Sequence, residues 1–169
     1  MDKTQLEQNQ QEKPISILNK SLLTGFVGGM VWSIFGALSY YFNFTEVSPA
    51  SFLIRSFWQT GWTSSFLGEV LGVIGVSLIS IAGALVYYLA LKKTNGIMPG
   101  VLYGGAVWGI IFYLLNPIFA AVPALPDMTS DTIITTICLF VLYGAFIGYS
   151  ISYEYHDLNQ PADGDASGK

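Results

Sequence analysis

Few side chains in this sequence could act together in chemistry. Glu69 is a carboxylate one turn inside an apolar stretch, where an ionisable group is costly and often functional. Arg55 lies shortly before it and is the single arginine, so Glu69 is expected either to reach water or to pair with Arg55. Asn116 precedes Pro117, and its amide could satisfy backbone carbonyls that the proline leaves without a donor. His156, the single histidine, stands between Glu154 and Asp157, a pattern that reads as a solvated tail rather than a metal site. Cys138 is alone inside an apolar run; it can form no intramolecular disulfide and reads as a small core residue.

The elements that must hold these residues are set by composition. Apolar residues make up 52% of the chain and charged ones only 11%, against roughly 25% charged in a soluble domain. Four stretches, Ser21–Phe44, Phe66–Leu91, Met98–Phe119 and Asp131–Tyr153, are long and apolar enough to span a bilayer. The first is too long for the apolar core of a secretory signal and has no clean cleavage site after it. None shows the polar face of a buried helix in a soluble protein. Four transmembrane helices are therefore expected, within a membrane domain over 15–155.

The flanks are polar. Residues 1–14 are Gln-rich and read as a disordered N-terminus, and 156–169 read as a short, acidic, disordered tail. The loop 45–65 opens with Ser48-Pro49, a helix-start pair, followed by Phe52, Phe57, Trp58 and Trp62; a short helix in the headgroup region is expected there. The apolar, proline-punctuated 118–126 reads as a second interfacial segment. Thr94-Asn95-Gly96 makes a tight turn, and Asp131 or Thr132 is expected to cap the last span. All six lysines fall on one side of an even-span topology and Arg55 on the other, which places both termini in the cytoplasm of a multi-pass plasma-membrane protein.

Glycine carries the strongest pattern. Gly28-Gly29-Met30-Val31-Trp32 echoes Gly104-Gly105-Ala106-Val107-Trp108, and the same offset of 76 positions lays Gly68 on Gly144 and Gly72 on Gly148. Two parallel pseudo-repeated hairpins are the expected arrangement. Helices in lipid associate by close packing at small residues. Gly25, Gly29, Ser33 and Ala37 form one stripe, with further small faces at Gly68/Gly72, Gly100/Gly104, Gly105/Gly109 and Gly144/Gly148. Faces in surplus would pack a second copy or another membrane protein. Trp32 and Trp108, near mid-span, are expected to fill space opposite a glycine groove; the sharper alternative has both indole N–H groups facing a central cavity.

These residues carry a resemblance. Gly25 through Trp32, the Phe52–Trp62 loop with Arg55, and the Gly104–Trp108 echo are similar to the YqhR-type family of small conserved membrane proteins from bacilli. The resemblance covers Ile15 to Tyr155. It implies a Gram-positive plasma-membrane protein and brings no catalytic or binding residues to carry over.

One Cys, one His and one Arg on opposite sides of a bilayer supply neither a triad nor a metal set, and no phosphate-binding motif or basic patch exists. The expectation is an all-α membrane protein with no catalytic, cofactor or metal residues and no nucleic-acid partner. Its role would be packing or assembly in the bilayer, as a homo-oligomer or with a membrane-protein partner. The alternative is an oligomeric small-solute transporter or channel.

Overall fold

The computed structural model describes the backbone of residues 17–91, 94 and 96–159. The expected disordered N-terminus, the tail beyond Asn159 and most of the lysine-bearing turn lie outside the described residues. Among those described, all regular structure is helical. Three helices are long and apolar enough to cross a membrane: α1 (Ile17–Tyr41), α3 (Phe66–Leu91) and α5 (Ser130–Asn159). Two shorter ones are α2 (Pro49–Leu53) and α4 (Met98–Gly109).

Each boundary has a local cause. α1 ends with Asn43 at φ +60°, while the Phe44 N–H reaches the Ser39 carbonyl and the Asn43 N–H that of Tyr40, a left-handed cap built on asparagine rather than glycine. α2 starts at Ser48-Pro49 as the sequence indicates, with the Ser48 N–H donating to Ser51 Oγ at 3.2 Å. Gly96, at φ +95°, makes the turn into α4 where a side chain would be strained. α4 is shorter than the expected span. It passes into a π turn over Ile110–Leu114 and a 3₁₀ turn over Asn116–Ile118, where Pro117 ends it. α5 is capped by Thr129, whose Oγ1 accepts the Thr132 N–H, and not by Asp131 or Thr132 as expected. It also runs past the expected boundary at 155 as far as Asn159.

α1 packs along α3, α4 packs along α5, and α1 against α5 joins the two pairs. α3 and α4 are consecutive yet barely meet, so the bundle is open along one side. Much of its surface is large and apolar, including Leu23, Leu67, Leu78, Leu89, Leu102 and Ile134. Such a surface suits lipid and not water.

Two apolar clusters form the interior. One joins Ala84, Tyr87, Tyr143, Ile147 and Ile151 between α3 and α5. The other, at the loop end, joins Val47, Phe112, Val122 and Met128, with Phe52, Trp108 and Phe119 around them. The connections after α1 and α4 are thus tucked into the bundle: Pro49, Ala50 and Ser51 are buried, and the Ala121 N–H donates to Ser56 Oγ across the two. α2 forms where the short helix was expected, packed against α3. Its apolar residues have protein to bury against.

Candidate functional site

The polar residues singled out from sequence fall at the loop end. Arg55, just after α2, donates through Nη2 to Glu69 Oε1 at 2.5 Å, on the first turn of α3. Its Nε donates to the Thr63 carbonyl at 3.2 Å and its Nη1 to Ser48 Oγ at 3.3 Å. The guanidinium also lies 5.1 Å from the centroid of Tyr40, at cation–π range. One arginine therefore ties together the end of α1, the start of α2, the loop at Thr63 and the start of α3. Both charged side chains are mostly buried, with relative exposures of 16% and 19%. The second carboxylate oxygen of Glu69 is buried without a hydrogen-bond partner among the described residues.

Beside this pair is a polar hollow of about 890 Å³, lined by Tyr40, Glu46, Arg55, Glu69, Asp131 and Thr132, among others. Glu46 joins it to α5, its N–H donating to Thr132 Oγ1 at 2.9 Å. Nothing in the sequence pattern marked Glu46, and Thr132 was expected only as a helix cap. Asn116 does not join the hollow. Its amide donates to the Pro123 carbonyl at 2.8 Å and the Val122 carbonyl at 3.4 Å, so it serves carbonyls of the following loop and not the upstream ones that Pro117 leaves without a donor.

The glycines divide into two kinds. A side chain at Gly25 or Gly29 would strike Ser80 and its neighbours on α3, and one at Gly28 would meet Phe146 and Ile147 of α5. Gly100, Gly104, Gly144 and Gly148 bring the backbones of α4 and α5 together. Gly68 and Gly72 instead admit the loop, against Thr63 and Ala50. Gly105 and Gly109 have nothing within 4 Å of where a side chain would begin. The glycines paired at 76 positions thus make different contacts: Gly68 and Gly72 hold a loop where Gly144 and Gly148 hold a helix. The two halves therefore use these paired glycines for different contacts.

The tryptophans differ as well. The Trp108 indole N–H donates to Thr136 Oγ1 at 3.1 Å and its ring stacks on Phe112. Trp32 tilts against Phe35 and lines a groove on the open side of the bundle. Tyrosines and serines that the sequence reading passed over brace the interior. Ser80 Oγ donates to the Gly25 carbonyl and lies 2.7 Å from the Tyr143 hydroxyl, while the Tyr103 hydroxyl donates to the Gly83 carbonyl. The available signal was polar hydroxyls recurring inside otherwise apolar spans.

Among the described residues no group of His, Cys, Asp and Glu could hold a metal ion. What the geometry offers is a braced loop end, an apolar exterior and an outward glycine pair. A family model described as conserved membrane protein YqhR matches residues 1–166. The chain belongs to the YqhR family. A relative within the family, "Uncharacterized protein YqhR" of Bacillus subtilis (strain 168), is 44% identical over 154 residues, covering 90% of this chain and 86% of the relative. No solved structure matches the chain. Membership of the YqhR family agrees with the apolar surface: this is a membrane protein.

Proposed function

We propose that this chain is a non-enzymatic, multi-pass component of the plasma membrane that assembles with a second copy or another membrane protein through the outward glycines of α4. The carrying observation is the contrast within one helix. Gly100 and Gly104 are in contact with α5, while Gly105 and Gly109 have open space before them. Gly105 and Gly109 stand four residues apart, so they share a face, the spacing at which helix backbones approach in lipid. In this reading α4, with its π turn, completes a four-span bundle, both termini are cytoplasmic and the braced loop end faces outward. In-cell crosslinking followed by pull-down tests it. A defined crosslinked partner, or a dimer of this chain, is expected from a crosslinker placed at Gly109 and not from one placed at Leu23.

The polar hollow favours a second reading, a small-solute transporter or channel acting as an oligomer. Its charged and aromatic lining could receive a solute at the outer face. Purified protein in liposomes separates the two: solute flux with a defined selectivity supports transport, and its absence together with a specific partner supports assembly.

A further inference from the structure

Two cavities meet at one short helix. The segment 45–55 borders both of them. Its ends, Thr45, Glu46 and Arg55, border the polar hollow of about 890 Å³. Its middle, including Val47, Pro49 and Leu53, borders a groove of about 380 Å³ on the open side of the bundle. The groove's other walls are mainly apolar, among them Val76 of α3 and Ile111 of α4. Among the described residues none borders both cavities. The division continues on α1, where Ala37 borders the hollow and Gly36 the groove. Polar and apolar space are thus kept apart by α2 and the turn of α1 beside it.

α2 is seated in a way that permits it to leave. It has five residues, too few to persist by itself, since isolated helices need roughly 12–15. Its form therefore depends on its seat. That seat is a glycine face: Gly68, Gly72 and Gly75 share one side of α3, and side chains there would strike Thr63, Ala50 and Leu53. Contact is made on a smooth surface and not through interlocked side chains. Phe52, edge-on to Phe112 and Phe119, is the aromatic anchor on the interior side. The rest of the hold is polar. One guanidinium, that of Arg55, bonds Ser48, Thr63 and Glu69. Closure leaves the second carboxylate oxygen of Glu69 buried without a partner among the described residues, and it withdraws both charges largely from water. Both side chains border the hollow, so release of α2 returns them to water without crossing apolar protein. That rehydration offsets part of the cost of opening, as an apolar seat would not.

We infer that α2 is a releasable plug: held by Arg55 it keeps the hollow and the groove apart, and released from α3 it joins them and admits water from the hollow into the groove. Arg55 is the latch and the glycine face of α3 is the seat. The packing of α1 on α3 and of α4 on α5 stays in place as the plug opens. The inference concerns the loop end and does not rest on the assembly face at Gly105 and Gly109. Nor does it need a transported solute: an absence of flux in liposomes would remove the transport reading and leave the plug.

The test uses the full-length protein in lipid nanodiscs, with Cys138→Ala removing the exposed native thiol. Ile111→Cys places a thiol in the groove, and a charged maleimide, which does not enter the bilayer, reads its access to water by peptide mass at that position. Leu53→Cys with Gly75→Cys provides a lock, because the two Cβ positions lie 4.0 Å apart, within disulfide reach. With Arg55 in place, labelling should be slow. Arg55→Gln should speed it by about tenfold or more, because Glu69 then loses its buried partner. Oxidising the lock should abolish labelling with either residue at 55, and reducing it should restore the rate. A lipid-facing thiol, Leu102→Cys, should stay unlabelled throughout. Labelling that ignores the lock overturns the proposal, as does a rate unchanged by Arg55→Gln. An equal gain at Leu102→Cys also overturns it, since the whole bundle would then be opening. Should Arg55→Gln fail to fold, the lock alone decides, through its effect on the rate with Arg55 in place.

Discussion

At the scale of single residues, Arg55 matters more than the carboxylate it pairs with. Glu69 drew notice because a carboxylate inside a span is costly, yet its pairing with Arg55 makes it one of several acceptors around a single guanidinium. Removing one partner of a buried pair leaves the other without compensation, whereas a neutral isostere keeps part of the hydrogen bonding. Arg55→Ala should therefore lower stability by about 2–3 kcal/mol and Glu69→Gln by about 1 kcal/mol. Thermal unfolding in one detergent compares them directly, and a larger loss for Glu69→Gln would contradict this ordering. The pairing was foreseeable from charge scarcity: one arginine and one carboxylate near the same end of two spans have few other partners. The additional bonds to Ser48 and Thr63 were not, because they depend on how the loop folds back.

At the scale of elements, adjacent glycines in α4 have opposite surroundings. A side chain at Gly104 would run into the Phe140 carbonyl, while Gly105 faces open space. Gly104→Leu should cost about 1–3 kcal/mol or prevent folding, since overpacking forces backbones apart. Gly105→Leu should leave the melting of the isolated chain nearly unchanged. Equal damage from both would mean that α4 is rotated relative to the packing described. Sequence made the spans legible because lipid demands long apolar runs, and it made glycine packing legible because small residues are what bring helices together. It could not say which face each glycine presents. The Gly28-Gly29 doublet sends one residue toward α5 and the next toward α3, so a shared phrase conceals two different contacts. The short helix in the loop after α1 was legible, but its packing against α3 was not. Phe52 packs inside while Phe57, Trp58 and Trp62 stay exposed, and Gly68 and Gly72 open α3 to the loop backbone.

At the scale of the whole molecule, the proposed topology rests on lysines and the proposed role on what the fold leaves unused. A reporter active only outside the cell should be silent when fused before Met1 or after Lys169 and active when inserted near Asp127. Activity from the C-terminal fusion would overturn the even-span arrangement. Most helix-packing glycines are consumed in holding α1 to α3 and α4 to α5, leaving Gly105 and Gly109 as the surface free for another chain. Assembly through that surface is the central claim. The most direct measurement is blue-native separation of membranes solubilised in mild detergent, comparing the parent with Gly105→Leu/Gly109→Leu. The account predicts that the parent migrates in a defined complex larger than one chain, and that the double variant, equally abundant and equally stable, migrates as the lone protein. A complex of unchanged size in the double variant, or a parent that already migrates alone, would contradict it.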